Sequence, residues 1–464
     1  MRYVSTRGQA PILGFEDVLL TGLARDGGLY LPEAWPTLSP VEIRGLSGTS
    51  YAGAAARVLA PYAGGAVSEG EFATLLADAY RGFGHQAVAP LKQIGPRHWL
   101  LELFHGPTLA FKDYALQAVG RLFDRALARR NQRVTIVGAT SGDTGSAAIE
   151  ALRDRTSVDV FILFPKGRVS EVQRRQMTTV EAPNVHCIAL DGTFDDCQDM
   201  VKALFNDAGF RDQHQLSAVN SINWVRIAVQ IAYYAAAAAA LGAPDRRVAF
   251  AVPTGNFGNV FSAYAAKRMG FPIERLILGS NSNDILTRFL GSGEMKMAPV
   301  EPTYSPSMDI QVSSNFERLL FEVVGRDGAR VAGLLTSFRK NGSYRLDDEA
   351  MGRIRGLFEA HRLDDAGTLE VIRGVHRETG ELIDPHTAVG VFAAESSRLD
   401  PGIPIVSLGT AHPAKFADAM ERAVGVRPKL PERLQGMMTA KERVQELPKD
   451  QKAVKSFIAG RVRG

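Results

Sequence analysis

Cysteine is scarce, with Cys187 and Cys197 the only two thiols in 464 residues. Two cysteines cannot build a zinc site alone, and their spacing forms no disulfide framework, so a reducing, cytoplasmic setting is expected. Long apolar runs are also missing. The longest, 227–242, is interrupted by Gln230 and carries six alanines at 235–240; it is too short to span a bilayer and reads as a buried helix. The first seventeen residues hold no apolar core of signal-peptide length. No face of one charge sign stands out. Lys+Arg 54 against Asp+Glu 50 leaves a net charge of +4, and the arginine pairs 129–130 and 174–175 are isolated. That argues against a nucleic-acid binder while leaving room for a basic cleft around an anionic substrate. The Walker pattern and Gly-x-Gly-x-x-Gly are both absent, which removes the usual grounds for a nucleotide-binding module.

What is present is an ordinary globular composition, 45% hydrophobic and 22% charged, in a chain too long for one core. Residues 1–95 read as helices and loops, with helices over 15–24, 51–62 and 69–83. From Trp99 the pattern changes to short apolar strands alternating with amphipathic helices. Strands are expected at 99–104, 133–137, 158–164, 185–190, 248–252, 276–279 and 403–407, and helices at 116–130, 194–206, 225–241 and 260–269. Such alternation predicts a parallel sheet covered on both faces, with ligand sites at the carboxyl ends of its strands. The charged tail, 431–464, reads as helical.

Unusual loops follow three strands. Gly138-Ala-Thr-Ser-Gly-Asp-Thr-Gly145 and Pro253-Thr-Gly-Asn-Phe-Gly-Asn259 each open a helix, and Gly409-Thr-Ala-His-Pro413 follows the last strand. Small polar residues there can be plain caps. They can also present N–H groups to an anion, and two such loops suggest one anion on a cofactor and one on a substrate. A fourth segment, His105-Gly-Pro-Thr-Leu-Ala-Phe-Lys-Asp113, precedes the helix expected at Leu116. Lys112 sits there in an apolar context where no solubilising charge is needed. A desolvated lysine can attack an aldehyde; a helix-start lysine paired with Asp113 is the competing reading.

In order, HGPTLAFKDYALQ, GATSGDTGSAA, FPKGRVSEVQRRQM, NSINWVR, VPTGNFGN and GTAHPAKF resemble the threonine synthase family, in its bacterial and fungal branch with an added N-terminal domain. YVSTRG, LARDGGLYLPE and SPSMDIQVSSNFERLLFE extend the resemblance over nearly the whole chain. It implies an α/β architecture of pyridoxal-phosphate fold type II (tryptophan synthase β-like): two parallel-sheet sub-domains in a catalytic core, 96–430, a mainly helical N-terminal domain, 1–95, and the tail.

The resemblance also implies roles. Lys112 would carry pyridoxal 5'-phosphate, and the backbone of Gly255, Asn256, Phe257, Gly258 and Asn259 would cradle its phosphate. Thr410 would meet the pyridine nitrogen, a neutral partner that does not enforce ring protonation. Thr140, Ser141 and Thr144 would receive the substrate carboxylate. Asn220, Ser221 and Arg226, with Lys166, would hold the phosphate of O-phospho-L-homoserine, whose conversion with water to L-threonine and phosphate is the implied reaction. On the residues alone, Arg226 reads as an arginine satisfying a nearby carboxylate or cap. Asp143 stands where many fold type II enzymes have asparagine beside the cofactor's ring oxygen. Two anionic oxygens would repel, so it must be protonated, displaced or turned toward another group. A dehydratase or β-replacement synthase of the same fold would need no second phosphate pocket, and a catalytically dead homologue would lack the lysine. A monomer or weak homo-oligomer is expected.

Overall fold

The computed structural model describes residues 1–218 and 220–463. Two sheets dominate. One has six strands in the order Phe358–Arg362, Ile273–Ser280, Val248–Pro253, Ile405–Gly409, His98–Glu102 and Leu91–Gln93, parallel except for the last. The other has five parallel strands, Gln445–Leu447, Val185–Leu190, Val158–Pro165, Val134–Ala139 and Leu216–Ser217. Val158–Pro165 is buried at every residue, as a strand covered on both faces must be.

Helix Trp224–Ala240 is the axis of the molecule. Its alanines let neighbours approach closely, and it packs against Tyr51–Ala63, Lys112–Arg130 and Gly258–Arg268. Trp224 is fully buried among Tyr3, Trp35 and Tyr62, which fastens the N-terminal unit to this helix. That unit is helical as expected, with Tyr51–Ala63 and Glu69–Tyr80 started by side-chain caps from Ser50 and Ser68. It adds the antiparallel pair Tyr3–Ser5 and Tyr30–Pro32.

Several elements differ from the expectation. The edge strand Leu91–Gln93 pairs with His98–Glu102 across the boundary expected at residue 95. The tail is not helical throughout: Gln445–Leu447 extends the five-stranded sheet, and only Gln451–Ala459 forms a helix of more than one turn. The last core strand runs Ile405–Gly409 rather than 403–407, because Pro404 has no N–H to give the ladder. This shift carries Thr410 to the carboxyl edge of the sheet. The lysine helix begins at Lys112, four residues before the apolar pattern starts.

Candidate active site

Lys112 is the first residue of its helix, and the chain before it is pinned by Phe111 N–H donating to the Thr410 carbonyl at 2.9 Å. The pairing with Asp113 does not occur. Asp113 turns the other way and accepts from the N–H and hydroxyl of Thr108 at 2.8 and 2.6 Å, and burial pushes its carboxyl up to about 6. The Lys112 ammonium instead donates to Asp143 Oδ2 at 3.2 Å. The other oxygen, Oδ1, accepts from the Gln173 amide at 2.8 Å and pairs with Lys415 Nζ at 2.7 Å. Lys415 also donates to the Thr108 carbonyl at 2.8 Å. Burial would raise the Asp143 carboxyl, but Lys112 and Lys415 outweigh it and hold the group well below the usual range. Of the three states open to Asp143, the one found is an ionised carboxylate turned toward cations. Burial lowers Lys112, helped by Lys415 and Arg226 and opposed by Asp143. Gly142, at φ 142°, permits this arrangement, since a Cβ there would fall 2.4 Å from the Gln173 side chain.

The second loop joins strand Val248–Pro253 to helix Gly258–Arg268, whose N–H groups face the sheet's carboxyl edge. Gly255 and Gly258 are closely packed. Added Cβ atoms would stand 3.0 Å from the Met308 Cα, and 3.2 Å from both Asn315 Nδ2 and Ile227 Cδ1. Phe257 takes a left-handed φ of 62°, held by a buried ring tilted against Phe316 and Phe358. Asn259 Oδ1 accepts from Tyr233 and Tyr234 at 2.5 and 2.7 Å, while its Nδ2 is a buried donor with no partner among the described residues. Segment 313–318 braces the loop from behind. Ser313 donates to the Gly255 carbonyl at 2.7 Å, and Asn315 Nδ2 donates to the carbonyls of Asn256 and Ser221 at 3.1 and 3.2 Å. Arg318 ties this brace to the carbonyls of Ile222 and Tyr30 at 2.6 and 2.9 Å.

Arg226 is 3% exposed, and its Nε and Nη1 have no hydrogen-bond partner among the described residues. A cap or carboxylate partner would have filled them. Burial pushes the group down to about 10, so it remains a cation at neutral pH. Ser221, just upstream, accepts a hydrogen bond from the Asn256 amide. Asn220 Oδ1 accepts from the Ile222 N–H at 3.2 Å, shaping the turn into the helix.

Two residues expected to meet the substrate have partners within the chain. Lys166 is half-exposed and paired with Glu446 at 2.7 Å, a partner delivered by the tail strand, so it does not join the buried cations. The Thr140 hydroxyl accepts from the N–H groups of Gly142 and Gly145 at 3.0 and 2.9 Å, so it closes its own loop while its O–H proton is left to donate. Ser141 is exposed and Thr144 half-buried at the loop's rim. Thr410 is buried, its N–H donating to the Thr387 hydroxyl at 3.1 Å. Lys415 and Gln173 were missed. The signal for Lys415 was available, since a lysine inside HPAKF stands in the same apolar context that drew attention to Lys112.

Known proteins resemble this chain throughout. Residues 84–336 match the profile of pyridoxal-phosphate-dependent enzymes, and with this fold and buried lysine they place the chain in that class. Residues 2–80 match the threonine synthase N-terminal profile and residues 387–458 its C-terminal profile. A threonine synthase of Pseudomonas aeruginosa is 53% identical over 460 residues, covering 99% of this chain and 98% of that protein. A crystal structure of PLP-bound threonine synthase from Brucella melitensis superposes with a TM-score of 0.98 at 52% identity, covering 100% of both chains. The yeast threonine synthase structure gives 0.94 at 39% identity, covering 99% of this chain and 98% of that one. The chain belongs to the threonine synthase family.

Proposed function

We propose that this protein converts O-phospho-L-homoserine and water into L-threonine and phosphate with pyridoxal 5'-phosphate as cofactor. The observation that carries this reading is Arg226, a buried guanidinium whose Nε and Nη1 have no partner among the described residues, near Lys112 yet on a different element from the glycine loop. One anion site suffices for the cofactor phosphate. A second suits a phosphorylated substrate, and neither a dehydratase nor a β-replacement synthase needs it.

The residues fit the cofactor. Gly255 and Gly258 let the loop pack directly against Met308, Asn315 and Ile227, which fixes the backbone of 255–259 at the start of helix Gly258–Arg268, where its N–H groups would receive a phosphate. Lys112 would carry the cofactor and Thr410 would offer its hydroxyl to the pyridine nitrogen. Bound pyridoxal phosphate supplies an electron sink for carbanions of the attached amino acid.

The remaining work falls to side chains of this chain. Lys112 Nζ, once free, takes the proton from the substrate α-carbon, a task suited to an amine lowered by burial. Asp143 keeps that nitrogen within reach at 3.2 Å. Arg226 orients the substrate phosphate and neutralises charge as it leaves the γ-carbon, before water adds at the β-carbon. Among the described residues no helix is long and apolar enough to cross a membrane. We place the protein in the cytoplasm, with a small-molecule substrate and no nucleic-acid partner. Incubating holoenzyme with O-phospho-L-homoserine should release phosphate and threonine in equal amounts. Phosphate with 2-oxobutanoate instead would reassign it as an eliminating enzyme.

A further inference from the structure

Among the buried titratable groups without a part in that reaction, Lys415 stands nearest to it. Its side chain is 0% exposed and is held between Asp143 Oδ1 at 2.7 Å and the Thr108 carbonyl at 2.8 Å. Lysine is almost never buried this deeply without a partner, and an apolar residue of similar volume would cost the fold less. A second observation gives the position meaning. Asp143 divides its two oxygens, giving Oδ2 to Lys112 and Oδ1 to Lys415 and Gln173.

Lys112 must at some stage be neutral, whether to attack an aldehyde or to act as a base. Were it the sole counter-ion of Asp143, each loss of its proton would strand a carboxylate that is 5% exposed. Lys415 removes that obstacle. With Lys112 neutral, Asp143 still has a full ion pair, and its Oδ2 still receives a hydrogen bond from the lysine nitrogen.

We propose that Lys415 is a positioning residue: it is the permanent counter-ion of Asp143, and it thereby frees Lys112 to shed its proton while Asp143 holds the nitrogen in place. This rests on reading Lys112 as the reacting lysine. The groups facing the pair from the neighbouring elements are few. Arg226, on the axial helix, adds its charge to that of Lys415 in lowering Lys112. Asp113 lies across Thr108, where burial raises it and Thr108 and Lys415 oppose the rise, with Glu150 and Arg433 beyond it. Asp143 alone acts to keep Lys112 protonated. Removing Lys415 therefore leaves that pull unbalanced.

The test uses cofactor-free protein, trace-labelled with acetic anhydride over a pH series, with acetylation at Lys112 read by peptide mass. Lys415→Met and Lys415→Gln both delete the charge, and glutamine keeps a donor for the Thr108 carbonyl. In each, the midpoint for Lys112 should rise by about one pH unit or more, slowing labelling near neutrality roughly tenfold. Lys415→Arg keeps the charge and should stay within about threefold of the parent. The double variant Asp143→Asn/Lys415→Met should regain fast labelling, because no carboxylate remains to hold the proton; loss of structure alone would not be rescued by a second substitution.

Parent-like midpoints in both neutral variants, or a double variant as slow as Lys415→Met, would overturn the proposal. If neither neutral variant folds, Asp143→Asn alone decides. It should lower the Lys112 midpoint, and an unchanged or higher one overturns the idea. Acetylation of the parent at Lys415 in place of Lys112 would sink both this inference and the functional reading. A Lys112 that titrates normally but ignores Lys415 would sink the inference only.

Discussion

The side-chain amide of Asn256 donates to the hydroxyl of Ser221, joining the glycine loop to the turn that leads into Arg226. Asn256 Oδ1 also accepts from the Ser314 N–H at 2.9 Å, so one amide holds three segments together. The two proposed anion sites, on separate elements, would thereby be kept at a fixed separation. Asn256→Ala and Ser221→Ala should each raise KM for O-phospho-L-homoserine, and the double variant should be little worse than either alone. Contacting pairs of this kind couple by about 0.5–3 kcal/mol. Additive losses in the cycle would show that the hydrogen bond does not link the sites.

Lys112→Ala should abolish turnover and leave a folded protein. Asp143 keeps Lys415 as a partner, so no bare buried carboxylate is created. In the parent, borohydride should fix a cofactor label on the peptide containing Lys112. A label on Lys166 or Lys415 would reassign the reacting lysine.

The glycine loop separates backbone from side-chain effects. Gly258→Val places bulk 3.2 Å from Asn315 and Ile227, and should weaken pyridoxal phosphate retention tenfold or more, by roughly the 1.4 kcal/mol that one decade represents. Phe257→Ala acts differently. Its ring is 2% exposed against Phe316 and Phe358, so truncation should cost about 3–5 kcal/mol of stability. Melting curves with and without cofactor distinguish the two. Equal retention by Gly258→Val and parent would give the loop another purpose.

Two half-buried histidines set an acid limit. Burial pushes His98 down to about 4, aided by Arg97, and does the same to His412, aided by His105 and Arg433. An unfolded histidine titrates near 6.5, so between about 6.5 and 4 the unfolded chain binds more protons than the folded one. Their contribution to stability is present above that window and is lost as pH falls through it. Tm should decline as pH falls from about 6.5 to 4, and His98→Gln, still able to reach Ser407, should flatten the decline. An unchanged slope would assign the acid limit to the carboxylates.

Much of the site was legible because its signals are local. Strand ends, glycines before helices and a lysine in apolar surroundings are properties of short windows, and they point to Lys112 and the glycine loop, whereas Arg226 enters only through the family resemblance. What was hidden depends on distant parts of the chain. Asp143 could not be assigned a state, because its counter-ion lies at position 415. The ion pair of Lys166 was hidden because its partner, Glu446, arrives on a strand of three residues too short to show an alternating pattern. The loop-closing role of Thr140 was hidden for a related reason: a hydroxyl next to glycines serves a loop's own N–H groups as readily as a ligand. Strand Phe358–Arg362 escaped because it lies at the sheet edge, where Glu359, His361 and Arg362 break the apolar run.

Arg226 gives the sharpest test of substrate choice. A buried cation without a partner is costly to the free protein, and an incoming anion repays that cost. Arg226→Leu should therefore raise the Tm of cofactor-free protein, since an apolar side chain replaces an unsatisfied charge. With pyridoxal phosphate filling the glycine loop, inorganic phosphate should stabilise the parent and leave Arg226→Leu unmoved, because mass action stabilises only a state that binds the ion. In catalysis, truncating a charged partner in a closed site commonly costs about 2–5 kcal/mol, so kcat/KM for O-phospho-L-homoserine should fall by roughly 30-fold or more. Cofactor binding should survive, since the glycine loop holds that phosphate separately. Slow deamination of serine, which brings no phosphate, should change little. Matching losses on serine and O-phospho-L-homoserine, together with a lowered Tm, would mean that Arg226 supports the fold and the substrate phosphate is bound elsewhere.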